Sequence, residues 1–239
     1  MLKKSSVKFS LNRSVSKTKP PKEGFNFYEP NNFSEDQVKD RSAQFFHELN
    51  SRRSIREFSN QEIPEGVIEN ILKTASTAPS GAHKQPWFFA VVTSTTMKKK
   101  IREAAEKEEY ENYHGRMSEE WLKDLEKFDT NWQKPFLEIA PALIVIFKQT
   151  YEDTADGKAK NYYVNESVGI AAGMLISAIH HAGLVTLTHT PSPLNFLADL
   201  LDRPKNEKPF LLLPIGFPAK EAQVPLLERK QLTEIMKEY

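Results

Sequence analysis

A chain of 239 residues, 39% of them hydrophobic, can bury one substantial core, and its formal net charge of +1 gives no electrostatic case for nucleic acid or an anionic membrane surface. The absence of cysteine excludes disulfides, iron–sulfur clusters, thiolate–zinc sites and cysteine nucleophiles together, so any redox chemistry falls to a bound cofactor. Residues 1–24 are rich in Lys and Ser, with Glu23 their only acid, which leaves two readings open: a solvated tail or an organelle transit peptide. Val7, Phe9 and Leu11 alternate there as an edge strand added to a partner subunit would. We take residues 1–30 as a basic extension and 31–239 as one domain.

Ser34-Glu35-Asp36-Gln37 is a capping box, and it opens a helix whose apolar positions Val38, Phe45, Phe46 and Leu49 follow the helical period. The helix leads into Arg52-Arg53-Ser54-Ile55-Arg56. If this stretch is extended, Arg52, Ser54 and Arg56 share a face and Arg53 and Ile55 point away, which gathers guanidinium groups suited to a phosphate. Pro64 suits the first turn of a second helix, with Val67, Ile68, Ile71, Leu72 and Ala75 on its buried side. In the turn Pro79-Ser80-Gly81-Ala82-His83, the glycine allows close backbone approach to a ligand.

A strand is predicted over Trp87–Thr93, then a long charged segment, about residues 98–135, in which Glu109 and Tyr113 share a helix face and Lys134 precedes Pro135. A segment this polar is expected to be loosely held when empty and to order as a lid over substrate. Ala142–Phe147 reads as a strand buried on both faces. Asn161–Ala182 reads as a helix with small residues at Gly169, Ala171, Ala172 and Gly173, closed by Gly183. Leu184–Thr188 and Phe210–Ile215 supply further strands, and the whole predicts an α+β fold with helices flanking a mixed central sheet. The longest strongly apolar run, Ile170–Ile179, falls short of the ~20 residues that span a bilayer, so a soluble, cytoplasmic protein is expected. No histidine spacing fits a metal site, and neither a Walker loop nor a Gly-x-Gly-x-x-Gly motif is present.

Arg52–Arg56 followed by Ala78-Pro79-Ser80-Gly81-Ala82-His83 resembles the nitroreductase family of FMN enzymes. Asn161–Gly183, Leu184–Pro191, Arg203–Lys208 and the Val224–Lys230 tail are similar to its iodotyrosine deiodinase branch, and the resemblance runs from Asn31 to Met236. It implies a nitroreductase-like fold in an intertwined homodimer with FMN at the interface. The phosphate would lie against Arg52, Arg53 and Ser54, joined by Arg229, with Ile55 also contacting the cofactor and Arg56 at the N1/O2 edge of the flavin. Pro79, Ser80 and Gly81 would line the ring, and the Ala82 N–H would face the substrate phenolate.

Thr190 matches the donor to flavin N5, which favours single-electron transfer, and Thr188 and His189 occupy neighbouring contact positions. His189 departs from the threonine of the animal enzymes, as does the lack of their N-terminal membrane anchor. For substrate, the resemblance implies that Glu109 takes the ammonium of a halotyrosine, Lys134 its carboxylate, and Tyr113 the same zwitterion. The implied reaction is reductive dehalogenation of mono- and diiodotyrosine, with NADPH or a separate flavin reductase as electron source. Two alternatives stay open: a broad nitroreductase or quinone reductase, and a non-enzymatic binder of halotyrosine or flavin. Taken singly, the motifs also fit a solvated basic turn and a solvated charged helix face.

Overall fold

The computed structural model describes residues 20–239, so the alternation at Val7, Phe9 and Leu11 lies outside the described residues. The chain forms two compact units, one ending at Gln44 and one running from Phe45 to Tyr239. The elements in order are α1 (Glu35–Ser51), α2 (Val67–Ser76), a 3₁₀ turn (Gly81–His83), β1 (Trp87–Val92), α3 (Thr95–Glu111), a π turn (Asn112–Arg116), α4 (Glu119–Glu126), α5 (Phe136–Ile139) and β2 (Ala142–Gln149). They continue with β3 (Tyr151–Thr154), β4 (Gly157–Lys160), α6 (Val164–His181), β5 (Val185–Thr186), α7 (Phe196–Leu200), β6 (Glu207–Gly216) and α8 (Leu232–Ile235).

The predicted capping box opens α1. The Ser34 N–H donates to Gln37 Oε1 at 2.9 Å and the Gln37 N–H to Ser34 Oγ at 3.2 Å, so two orphan donors are satisfied reciprocally. The helix buries no residue, and Phe45 and Phe46 stand exposed on its last turns. The second helix starts later than Pro64. Gly66, at φ 80°, interrupts the helical path, and α2 begins only at Val67, whose N–H donates back to Pro64 O at 3.3 Å. Ile71 and Ala75 are buried as expected, while Val67, Ile68 and Leu72 are half-buried.

The main sheet has the order β1-β2-β6-β5, with every neighbouring pair antiparallel. Among the described residues its parallel component is one bridge, Ser54 to Thr186, which seats the Arg52–Arg56 segment against β5. The central strand β2 is buried on both faces, and its alternation divides the core. Ile144 and Ile146 pack with Ile71, Val168, Leu175 and Ile179 from α2 and α6. Leu143, Val145 and Phe147 pack with Ile101, Leu137 and Leu197 from α3, α5 and α7. Each such side chain contributes about 1.5–3 kcal/mol on leaving water.

α6 ends where predicted. Gly183 takes φ 76°, its N–H donates to His180 O at 2.9 Å, and the Leu184 N–H donates to Ile179 O at 3.0 Å. The strand expected over Leu184–Thr188 is reduced to Val185–Thr186, followed by a separate bridge from His189 to Leu212. Among the described residues no helix is long and apolar enough to cross a membrane.

Candidate active site

The sheet edge fixes the guanidinium cluster. The Ile55 N–H donates to Thr186 O at 3.2 Å and the Ile55 side chain is buried, which holds the strip carrying Arg52, Ser54 and Arg56 in place. The tail brings Arg229 across 177 positions. It donates from Nη2 to Arg52 O at 3.0 Å and from Nη1 to Asn50 O at 3.1 Å and Asn50 Oδ1 at 3.0 Å. Arg53 likewise donates to the Asn50 and Arg52 carbonyls, at 2.8 and 2.9 Å. These partners are neutral, so among the described residues the positive charge stays uncompensated. Burial, then the neighbouring Arg229 and Arg53, push the Arg52 guanidinium below its ordinary value. Cations clustered with no carboxylate counter-charge among the described residues fit a dianionic phosphate.

The Pro79–His83 turn is tightly drawn. Ala82, His83 and Gln85 adopt φ of 50°, 56° and 47°, a left-handed path that costs L residues energy. Its hydrogen bonds include Gln85 N–H to Ser80 Oγ at 2.9 Å, His83 N–H to Ser80 O at 3.1 Å, Lys84 N–H to Gly81 O at 3.1 Å, and Gly81 N–H to Ser167 Oγ at 3.4 Å. A Cβ at Gly81 would come within 2.9 Å of the Tyr163 ring and 3.3 Å of Tyr162 O. The turn therefore packs on the N-terminal end of α6. The arginine cluster borders a cavity of about 410 Å³ that includes Ile176, Ile179 and His180 at the other end. At 1.5 Å per residue, Ser167 and His180 are about 20 Å apart along the helix.

Around residue 189 the backbone alternates. Thr188 and Thr190 are exposed, and His189 turns inward, its N–H donating to Leu212 O at 2.8 Å and its ring lying edge-on to Phe136 at 5.7 Å. Burial, then the Lys134 and Arg56 charges, lower its pKa to about 3, so the imidazole is neutral at physiological pH. Its Nε2 is buried with no hydrogen-bond partner among the described residues.

The three residues expected to grip a zwitterion converge. Lys134 Nζ lies 3.5 Å from Glu109 Oε2, both side chains almost wholly buried, and 5.4 Å from the centre of the Tyr113 ring. Tyr113 donates its hydroxyl to Thr130 O at 3.3 Å, and Lys134 donates to Thr130 Oγ1 at 3.4 Å and to Asn131 O. Burial raises the Glu109 carboxyl and lowers the Lys134 ammonium, each opposed by the other's charge. Arg56 lies over the Phe128 ring at 5.4 Å and acts electrostatically on Tyr113, so the arginine strip ends beside this clamp. Sequence reasoning missed Phe128 and the acceptors on Thr130 and Asn131. It also missed Glu106, which shares a helix face with Glu109 and whose Oε1 accepts the Lys134 N–H at 2.7 Å.

The Nitroreductase family matches residues 49–217. An iodotyrosine deiodinase of Haliscomenobacter hydrossis is 60% identical over 208 residues, covering 87% of this chain and 94% of that protein. Iodotyrosine deiodinase 1 of Homo sapiens is 50% identical over 210 residues, covering 86% and 72%. The backbone is similar to the crystal structure of an oxidized iodotyrosine deiodinase bound to FMN and 3-iodo-L-tyrosine, with a TM-score of 0.69 at 27% identity over 79% of this chain and 96% of that one. Agreement of the arginine strip, the glycine turn and the sheet with a family match over most of the chain leads to one assignment: this chain belongs to the nitroreductase family, in its iodotyrosine deiodinase branch.

Proposed function

We propose that the chain is an FMN-dependent enzyme that reductively removes halogen from halotyrosines, converting mono- and diiodotyrosine to tyrosine and halide. The observation that carries this reading is the buried Glu109–Lys134 pair with Tyr113 beside it. A free amino acid presents one charge of each sign a few ångströms apart. Inserted between the two side chains, its ammonium meets Glu109 and its carboxylate meets Lys134, so neither buried charge is left unpaired. A nitroaromatic or quinone offers no such match.

The clustered cations Arg52, Arg53 and Arg229, with Ser54, suit the FMN phosphate, while Arg56 serves its N1/O2 edge and Thr188 and Thr190 face outward for the ring. When bound, FMN supplies the two electrons of the reaction, delivered singly. The chain's part is to bind, orient and exclude water. The clamp spends remote binding on holding the phenol ring in place, and the Ala82 N–H is available to the phenolate oxygen. His189, neutral and buried, adds no third positive charge beside Lys134 and Arg56.

The reading extends to a homodimer. Arginine cluster and glycine turn sit at opposite ends of α6, so a cofactor touching both takes the cluster from one copy and the turn from another. The electrons come from NADPH, directly or through a separate flavin reductase, which steady-state NADPH oxidation with and without added reductase distinguishes.

The decisive experiment is anaerobic titration of dithionite-reduced, FMN-loaded protein with diiodotyrosine, following flavin absorbance and released iodide together. Iodide stoichiometric with flavin reoxidation is expected, and E109Q should weaken halotyrosine binding by about 10-fold or more. Reoxidation by a nitroaromatic with none by diiodotyrosine would place the chain among broad nitroreductases. Tight binding without any reoxidation would make it a binding protein.

A further inference from the structure

The face of α3 that carries Glu109 also carries Lys98, Arg102 and Glu106, spaced so that each lies about one turn from the next. Together they grip the stretch from Lys134 to Ala140. Lys98 Nζ donates to Glu138 O at 3.0 Å and Ala140 O at 2.6 Å, binding the carbonyl end of α5. Arg102 donates from Nε to Glu138 Oε2 at 2.7 Å and from Nη1 to Glu106 Oε2 at 2.6 Å. Glu106 has its other oxygen, Oε1, 2.7 Å from the Lys134 backbone nitrogen, whose N–H it accepts.

That N–H stands just ahead of α5, where a helix has no internal acceptor to offer, and Pro135 beside it has no donor at all. A carboxylate is a strong acceptor for such a group. Resting on the halotyrosine reading, we propose that Glu106 is a positioning residue for substrate recognition. By fixing the Lys134 backbone, it sets the gap between Lys134 and Glu109 into which the amino-acid end of the substrate fits. Arg102 holds Glu106 in turn, through a salt bridge shared with Glu138. Glu106 faces the Lys134 backbone rather than the region of the phenol ring, so only ligands bearing the zwitterion depend on it.

The test compares two probes, 3-iodotyrosine and 2-iodophenol, binding to FMN-loaded wild type, E106A, E106Q and R102M, read as quenching of flavin fluorescence, with FMN affinity measured alongside. E106A is expected to weaken 3-iodotyrosine about 10-fold or more while 2-iodophenol and FMN stay within about twofold. E106Q, which keeps an acceptor for the Lys134 N–H, should recover most of the loss, and R102M should show a smaller loss of the same selectivity. If E106A does not fold, R102M carries the same comparison, with E106Q as the variant expected to stay near wild type. Equal loss of both probes would overturn the inference, as would E106A discriminating between them as wild type does. If wild type itself binds 3-iodotyrosine no better than 2-iodophenol, the halotyrosine reading falls, and this inference falls with it.

Discussion

Glu109 and Lys134 are stable as buried ions only while each has the other or a ligand in its place. Removing one partner strands a charge at a cost of about 3–5 kcal/mol, so substitutions here affect folding as well as binding. Their neighbour His189 solves the same problem by staying neutral. Its folded pKa, about 3, lies below the ordinary histidine value near 6.5, so between those limits the unfolded chain binds a proton that the folded chain refuses. The stability contribution is therefore complete above about pH 6.5 and is lost as pH falls toward the folded value. From this one group the slope reaches about 1.4 kcal/mol per pH unit. Denaturant unfolding of wild type and H189T between pH 4.5 and 7.5 should show a shallower acid slope in the variant, whatever its offset at neutral pH. Parallel slopes would mean that His189 titrates in the folded protein.

Among the elements, the charged segment 98–135 separates into two parts that its composition does not distinguish. α3 is anchored through Lys98, Ile101, Ala105 and Glu109, whereas α4 buries no residue and exposes Trp121. The N-caps Ser94 and Ser118 stabilise each helix locally, and the π turn with Gly115 joins them. Period and capping made β2, α6 and its Gly183 stop legible, because burial on both faces and a left-handed C-cap leave marks in the sequence itself. The roles of Lys98 and Glu106 were not legible. Their partners, Glu138 and the Lys134 backbone, lie 40 and 28 positions away, and until the fold pairs them they look like any solvated charge. The clamp residues emerged only because a family pattern singled them out of a run dense in Glu and Lys. On these grounds ligand should order the two parts unequally. In hydrogen-exchange mass spectrometry, α4 amides should exchange fast without ligand and slow by about 10-fold or more with iodotyrosine, while Ile101–Glu109 stay protected in both states. Uniform protection of both helices before ligand is added would remove α4 from the lid.

At the scale of the whole molecule, the separation of the arginine cluster from the glycine turn is the fact that organises the rest. The two lie toward opposite ends of α6, and along that helix runs an apolar groove of about 740 Å³ lined by Phe45, Val67, Ile170, Gly173 and Met174 among others. Ile170 is 47% exposed and Phe45 58%, a combination of uncovered apolar side chains and small residues that lets a second helix approach closely. In the proposed homodimer a second copy seated there would cover the groove and bring its own turn toward the first copy's arginines. I170E, which places a charge in the groove and leaves both the arginine cluster and the glycine turn unchanged, tests this. Wild type should sediment as a dimer and bind FMN tightly. The variant should sediment as a monomer with its far-ultraviolet circular dichroism retained and its FMN affinity reduced by about 100-fold or more, since each monomer keeps only half of the contacts. A folded I170E monomer that held FMN as wild type does would show that one copy completes the site alone, and the division across α6 would then carry no functional meaning.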